Sequence, residues 1–171
     1  MYRIGQSQDR HPLVAGRPCV LGGVPFPEAD DGPVGHSDAD VLTHAVIDAL
    51  LGAAGLDDIG TYFPDTDPGW AGADSLDLLR RTVAFVTGAG FRIVNVDSTV
   101  IAERPRIATR RAAMRARLAE AMAIPAARVN VKATRGEGLG PEGRGECITA
   151  QAVVLLQSLD ASSLDGSREG R

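Results

Sequence analysis

Two histidines and a nearby Asp-x-His triplet are the residues of this sequence best suited to binding a metal ion. The segment HSDADVLTH begins with His36 and ends with His44, in a chain that has only three histidines. If the segment after His36 is helical, the two rings lie about 12 Å apart along the axis, which is too far for them to share one ion. His44 therefore needs metal ligands from elsewhere, and His36 needs a separate role.

The triplet Asp9-Arg10-His11 offers the ligands that His44 lacks. In an extended segment the first and third side chains point the same way, with Cα atoms about 6.5 to 7 Å apart, so Asp9 and His11 can converge on one ion. Two nitrogens and one oxygen suit tetrahedral zinc, and three protein ligands leave the fourth position open for a substrate. The alternative is that Asp9 and His11 simply pair with neighbours at the end of a strand.

The elements that must position these residues are strands alternating with helices. Strand-like runs rich in β-branched or aliphatic residues occupy residues 3–8, 19–24, 92–102, 129–134 and 147–156. Helices are predicted from Ser37, acting as N-cap, to about Gly55, from Asp74 or Ser75 to the break at 88–90, and from about Thr109 to Met122. This order predicts an α+β fold, a mixed β-sheet with helices packed on one face.

Length and composition indicate one soluble domain. The 171 residues are 44% hydrophobic and 23% charged, and no apolar run approaches the ~20 residues of a membrane span. We expect one domain over residues 1–159 and a polar, disordered tail over residues 160–171. The N-terminus lacks the apolar core of a secretory signal, so we expect a cytoplasmic protein, with Cys19 and Cys147 as buried thiols.

Charge is segregated along the chain, but the pattern does not indicate nucleic-acid binding. Six arginines lie between Arg104 and Arg117, and no aromatic residue among them offers a base a stacking surface. Two long polar loops, DDIGTYFPDTD at 57–67 and RGEGLGPEGRGE at 135–146, have neither P-loop nor dinucleotide spacing. Such loops on a rigid layer often carry binding sites, and the alternative is that both are merely flexible.

Taken together, these segments resemble a known enzyme family. The Asp-x-His triplet after RIG, then GHSDADVLTHAVIDALLGAAGLDDIG, FPDTD, VDSTVIAERP, VNVKAT and GLGPEGRGE, resemble the 2-C-methyl-D-erythritol 2,4-cyclodiphosphate synthases of the non-mevalonate isoprenoid pathway. The resemblance extends from Arg3 to about Leu156. It implies that the 2-phosphate of 4-diphosphocytidyl-2-C-methyl-D-erythritol 2-phosphate attacks the β-phosphorus, which closes a cyclic diphosphate and expels CMP.

The resemblance also implies cofactors, an assembly and the residues nearest the chemistry. It implies a homotrimer with active sites between adjacent subunits and no membrane or nucleic-acid partner. Zinc, or another divalent transition metal, would be bound by Asp9, His11 and His44, and Mg²⁺ by Glu137. His36 and Ser37, at the expected N-terminus of the helix that carries His44, would hold the attacking phosphate, and Arg135 would contact the diphosphate.

The same resemblance implies three groups of substrate-binding residues. The methylerythritol group would be surrounded by Asp58, Ile59, Gly60, Phe63, Pro64, Asp65, Thr66 and Asp67. The cytosine would be recognised by the backbone around Ala102, Pro105, Arg106, Ile107 and Ala108. Ala133 and Thr134 would bind the nucleotide phosphate, and Arg144 matches an arginine that binds an isoprenoid diphosphate in some relatives.

Four positions depart from the family pattern. Gln8 and Pro141 replace aromatic residues that help to enclose an apolar cavity on the trimer axis in some relatives, so we expect isoprenoid diphosphates to bind weakly or not at all. Arg106 replaces a lysine, and Arg135 replaces a threonine that steadies the diphosphate. Two other functions are therefore considered: a catalytically weakened trimeric homologue that binds zinc and nucleotide, and an unrelated zinc phosphohydrolase that gives a linear product.

Overall fold

The computed structural model describes residues 1–159, and the tail predicted to be disordered, 160–171, lies outside the described residues. The strands are β1 (Tyr2–Ala15), β2 (Val20–Leu21), β3 (Val24–Pro25), β4 (Asp31–Pro33), β5 (Phe91–Ile101), β6 (Val129–Thr134) and β7 (Cys147–Ser158). The helices are α1 (Val41–Ala54), α2 (Ile59–Tyr62), α3 (Ser75–Gly88), α4 (Arg111–Ala121) and α5 (Gly140–Gly143). Three short 3₁₀ turns lie between these elements.

Five strands form one mixed sheet in the order β4-β1-β7-β5-β6. The β5–β6 pair is parallel, and the other neighbours are antiparallel. Along β7, residues such as Val154 and Leu156 are buried beneath the helices, whereas Gln151 and Val153 are exposed on the opposite, open face. This alternation is expected when only one face of a sheet is covered. The predicted α+β class, with helices on one face, is confirmed.

The first helix begins later than predicted. It starts at Val41, and its N-cap is Asp40, whose carboxylate accepts hydrogen bonds from the amides of Thr43, Gly22 and Gly23. The backbone between Ser37 and Asp40 leaves the helical path because Ala39 has a φ of 59°. Ser37 is therefore not the N-cap, although the helix does end with a left-handed residue at Gly55, near the predicted position.

The strand predictions differ from the structure mainly near the N-terminus. β1 is longer than the predicted run because it pairs with β7 without interruption from Tyr2 to Pro12. Residues 19–24 form a tight hairpin, β2–β3, and not one continuous strand, because Gly22 and Gly23 have positive φ values of 57° and 68°. The three-residue strand β4 was not predicted.

The helix α1 lies directly on β1 because Gly5 has no side chain. A Cβ atom at Gly5 would lie 1.9 Å from the carbonyl oxygen of Ala49 and 2.8 Å from the Cβ of Ala53. The rest of the core is a continuous set of hydrophobic side chains that includes Cys19 but not Cys147, and both cysteines are buried free thiols, as predicted. None of the helices between residues 1 and 159 has the length and apolar character needed to cross a bilayer.

Candidate active site

The structure brings Asp9 and His11 of β1 together with His44 of α1. The Asp9 Oδ2 atom lies 2.9 Å from His11 Nε2 and 3.2 Å from His44 Nδ1, and these two nitrogens are 3.2 Å apart. One atom from each of the three residues therefore points to a common centre, the arrangement that a metal-binding triad requires. The open alternative, in which Asp9 and His11 pair only with neighbours along the strand, does not account for the approach of His44.

The second ring nitrogen of His11 fixes which of its atoms faces this centre. His11 Nδ1 lies 2.7 Å from the carbonyl oxygen of Val34. A carbonyl oxygen can only accept, so Nδ1 carries a proton, and in the neutral ring the lone pair of Nε2 faces Asp9. A backbone carbonyl that orients a metal-binding histidine in this way is a common arrangement in proteins. His11 is thus prepared to act as a ligand through Nε2.

The electrostatics of the triad favour a positive charge at its centre. Burial alone would raise the pKa of Asp9, but the hydrogen bonds with His11 and His44 outweigh it and hold that pKa well below its usual range. Burial would lower the pKa of His11, but the hydrogen bond and charge of Asp9 raise it. One carboxylate and two imidazole nitrogens in this environment fit a divalent transition metal.

A cavity of about 450 Å³ opens beside the triad. Of the residues predicted to contact the methylerythritol group or the attacking phosphate, the structure places the following on its wall: His36, Ser37, Ile59, Gly60, Phe63 and Asp65. Phe63 is buried and packs edge-on against Trp70, with ring centroids 5.1 Å apart. The cavity thus has an apolar side near Phe63 and a polar side near the triad.

Four of the predicted methylerythritol contacts do not line this cavity, namely Asp58, Pro64, Thr66 and Asp67. Asp58 is the N-cap of α2, where its carboxylate accepts from the amide and the hydroxyl of Thr61, and these bonds lower its pKa. Asp67 caps the following 3₁₀ turn. The capping roles direct both carboxylates toward local backbone in the structure, so their contact with substrate stays a prediction.

His36 and Ser37 reach the cavity from a loop and not from a helix N-terminus. The helix begins at Val41, with Asp40 as its N-cap, so Ser37 is not at the helix N-terminus as expected, and the role of His36 and Ser37 at the attacking phosphate stays a prediction. His36 is exposed, and its Nε2 lies 3.2 Å from the carbonyl oxygen of Asp67. The Ser37 hydroxyl lies 3.0 Å from His44 Nε2.

Asp48 is a cavity residue that the sequence did not single out. It lies one turn after His44 on α1, and its Oδ1 atom accepts a hydrogen bond of 2.7 Å from the amide of Ile59. Burial is the main cause of its raised pKa. Asp48 therefore links the helix that carries His44 to the polar loop at residues 57–67. The i, i+4 spacing from His44, which places two side chains on one helix face, was the available signal.

A second cavity, of about 220 Å³, lies where β5 and β6 end. Every residue predicted to contact the nucleotide is on its wall: Ala102, Pro105, Arg106, Ile107, Ala108, Ala133 and Thr134. Arg135 lines it too, and its Nε donates to Glu103 Oε1 over 2.9 Å. That ion pair lowers the pKa of Glu103. Arg135 thus borders the nucleotide cavity while paired with an acid on its rim.

Glu137 and Arg144 line neither cavity. Glu137 is exposed, and its backbone has a φ of 53°. Arg144 donates to both carboxylate oxygens of Glu146, at 2.7 and 3.0 Å. Gln8 accepts a hydrogen bond from Gln151 on the open sheet face. Weak binding of isoprenoid diphosphates therefore stays a prediction, as does the magnesium role of Glu137.

The two cavities are separated within one chain by the protein core. Strand pairing places Asp9 opposite Ala150, Ala150 opposite Val100, and Val100 opposite Ala133. Since neighbouring strands are ~4.8 Å apart, about 14 Å separates Asp9 from Ala133. Ala150 and Val100, between them, are fully buried. A ligand that touched both cavities of one chain would have to pass around these packed residues.

Comparisons with known proteins agree on one family. The model of the YgbB family matches residues 2–157. The 2-C-methyl-D-erythritol 2,4-cyclodiphosphate synthase of Laribacter hongkongensis is 60% identical over 156 residues, which are 91% of this chain and 96% of that protein. The synthase of the same name from Synechococcus sp. (strain JA-2-3B'a(2-13)) is 57% identical over 90% of this chain and 98% of that protein. A solved CDP complex of IspF from Plasmodium falciparum superposes with a TM-score of 0.82 at 31% identity, over 93% and 97% of the two chains.

Proposed function

The chain belongs to the YgbB family, and from this membership we propose that it is an enzyme that forms 2-C-methyl-D-erythritol 2,4-cyclodiphosphate. The 2-phosphate oxygen of 4-diphosphocytidyl-2-C-methyl-D-erythritol 2-phosphate bonds to the β-phosphorus. The bond from that phosphorus to the α-phosphate oxygen breaks, and CMP leaves. This makes the protein a phosphorus–oxygen lyase of isoprenoid biosynthesis. The 57–60% identity to named synthases over nearly the whole described chain is the observation that carries the proposal.

The residues around the first cavity suit the needs of this reaction. Catalysis of phosphoryl transfer mainly requires a protein to align the attacking and leaving oxygens and to offset their negative charge. A zinc ion, or another divalent transition metal, on Asp9, His11 and His44 would polarise the β-phosphate. The hydroxyl of Ser37 and the exposed ring of His36 both line the cavity, and they would donate hydrogen bonds to the attacking 2-phosphate. No protein nucleophile is required.

Magnesium bound through Glu137 is the second proposed cofactor. The exposed loop position leaves the carboxylate accessible, and a hard cation there would offset charge on the departing α-phosphate. We expect Glu137→Gln to retain zinc but to need more Mg²⁺ for the same turnover, because the amide keeps the shape and loses the charge. A magnesium titration of CMP release measures this. Glu120→Gln, an exposed acid on α4, is the matched control. Identical titrations for Glu137→Gln and the parent would contradict the assignment.

Arg135 should assist the reaction despite replacing the usual threonine. Its guanidinium borders the nucleotide cavity, and a bound diphosphate offers it stronger acceptors than the solvent-exposed bond to Glu103. We expect Arg135→Ala to lower kcat/KM by roughly 10- to 100-fold, the scale of one charged hydrogen bond. Arg128→Ala, which changes an exposed arginine outside the cavity, should be neutral. A much faster Arg135→Thr variant would show instead that the arginine obstructs the site.

We propose a homotrimer with active sites between subunits, as the family resemblance implies, and the separation of the two cavities supports active sites that span two chains. The substrate carries its methylerythritol group and its cytidine at opposite ends of one diphosphate, whereas one chain places the matching cavities on either side of its core. Two neighbouring chains could supply one cavity each, and a closed ring of identical contacts satisfies every chain. The open sheet face, which exposes Ile4 and Val153, offers a surface for such a contact.

The proposed ligand is a cytidine diphosphate compound, supported by the CDP complex of the Plasmodium falciparum relative. Residues 1–159 are proposed to form a single domain, and a cytoplasmic location stays a prediction from the sequence. One assay tests the function: purified protein, zinc, Mg²⁺ and the authentic substrate, followed by phosphorus NMR. A cyclic product with CMP supports the cyclase. Bound nucleotide without CMP release would indicate the weakened homologue, and a linear product would indicate the phosphohydrolase.

A further inference from the structure

His44 is linked through its outer ring nitrogen to a buried serine and then to an aspartate. Its Nε2 lies 2.9 Å from the hydroxyl oxygen of Ser75, the first residue of α3. Ser75 is fully buried, and its hydroxyl bonds to Asp38 Oδ1. The amide of Ser75 donates to the other oxygen of the same carboxylate over 3.0 Å. Asp38, Ser75 and His44 thus form one continuous chain of hydrogen bonds.

The direction of each bond in this chain follows from the donors available. The carboxylate of Asp38 accepts, so the single hydroxyl hydrogen of Ser75 is donated to Asp38. The Ser75 oxygen can then only accept from His44, so the proton of that ring is on Nε2. The lone pair of His44 therefore lies on Nδ1, the atom that faces Asp9 and His11. Ser75 thus sets the tautomer of His44 in the same way that the carbonyl group of Val34 sets the tautomer of His11.

Two neighbouring contacts agree with this direction. The hydroxyl oxygen of Ser37 also lies near His44 Nε2, at 3.0 Å, and it accepts from the amide of Ala39 at 3.2 Å. Ser37 can therefore share the Nε2 proton as a second acceptor and keep its own hydrogen for a ligand in the cavity. Asp38 is itself held in place, because its amide donates to the carbonyl oxygen of Ala73 over 3.1 Å.

We propose that Ser75 and Asp38 are positioning residues for the metal, because they hold His44 in the tautomer that presents Nδ1 to the ion. The inference rests on the proposed metal site, to which it adds two residues that line neither of the two cavities. The proposal explains why the buried Ser75 hydroxyl and the Asp38 carboxylate lie next to the ring nitrogen of His44 that faces away from the triad. Outer partners of metal ligands commonly contribute 10- to 100-fold to metal affinity.

The first test compares zinc affinities by competition with a chelator. We expect Ser75→Ala to weaken zinc binding by roughly 10- to 100-fold. Ser75→Thr, which retains the hydroxyl, should recover most of that loss. Ser98→Ala is the matched control, because Ser98 is another buried serine, and within residues 1–159 its hydroxyl bonds to the carbonyl oxygen of Asn130, far from the triad in sequence. Equal zinc affinities for Ser75→Ala, Ser98→Ala and the parent would overturn the proposal.

The second test needs no substitution, so it holds even if Ser75→Ala does not fold. Nitrogen NMR of the zinc-loaded parent, labelled at histidine, should show that His44 carries its proton on Nε2 and binds zinc through Nδ1. A proton on Nδ1, or zinc bound through Nε2, would overturn the proposal. A parent that bound no zinc would refute the metal site of the proposed function as well. Zinc binding with normal His44 geometry but no effect of Ser75→Ala would refute only this inference.

Discussion

A His44→Ala variant is expected to purify without zinc and to release no CMP from the substrate, while keeping its fold. The substitution removes one of three converging ligands and leaves only Asp9 and His11, which is too few for a stable zinc site. The buried space it leaves should cost about 1–3 kcal/mol of the ~5–15 kcal/mol by which such domains are stable. Metal analysis and CMP release of the purified variant, with its melting temperature, measure the three outcomes.

His36→Ala is the matched control for this experiment. It changes the other histidine of the same segment, which lines the cavity but lies outside the triad. The variant should keep its zinc and lose turnover, since its proposed task is to hold the attacking phosphate. Full zinc occupancy in His44→Ala would refute the ligand assignment. Loss of zinc in His36→Ala would mean that the roles of the two histidines had been exchanged.

Two variants that are each inactive, His44→Ala and Ala133→Trp, are expected to recover activity when their chains assemble together. His44→Ala destroys the metal site, and Ala133→Trp would fill the nucleotide cavity of an otherwise intact chain. If each active site joins the first cavity of one subunit to the second cavity of its neighbour, a mixed trimer contains some sites built only from intact halves. Random mixing in equal amounts should restore about one quarter of the parent activity, because one neighbouring pair in four has that composition.

The mixing experiment requires chains that exchange or fold together. Co-expression with two different affinity tags, followed by purification through both, selects the mixed trimers. Each of these has one intact site in three, so the recovery expected after this selection is about one third of the parent activity. Each variant on its own, purified in the same way, gives the background rate. Melting temperatures show whether Ala133→Trp folds, because Ala133 is only partly buried on β6. Recovery no greater than the sum of the two backgrounds would argue that each active site lies within a single chain.

The regular elements could be predicted because their patterns depend on local sequence. β6 and α3 were placed almost residue for residue, since β-branched alternation and an aspartate cap with a leucine-rich face act over a few positions. The start of α1 was misplaced because Ser37 and Asp40 both resemble an N-cap. Asp40 is the N-cap because it also accepts from two amides of the β2–β3 hairpin, a contact that no local pattern reveals.

In the candidate site, too, contacts between residues close in sequence could be predicted, whereas contacts between distant residues could not. The convergence of Asp9 with His11 follows from strand geometry, so it was accessible to sequence reasoning. Ser75 was not, because it lies 31 positions from His44 and only the packing of α3 brings them together. The substrate residues were expected from resemblance, and the structure distributes most of them over two cavities that one chain keeps apart.

Gly5 has no reactive side chain, yet it limits the size of the metal site. It lies four positions before Asp9 on β1, and its contact with Ala49 holds α1, which carries His44, directly against that strand. The spacing between the strand ligands and the helix ligand is therefore set by the closest backbone approach of two elements. Any side chain at position 5 would act as a wedge and displace the helix, since its Cβ alone would lie 1.9 Å from a carbonyl oxygen. A substitution at position 5 would therefore change the distance between the strand ligands and the helix ligand without changing any ligand. Directed evolution of this enzyme toward a larger metal ion could use that position.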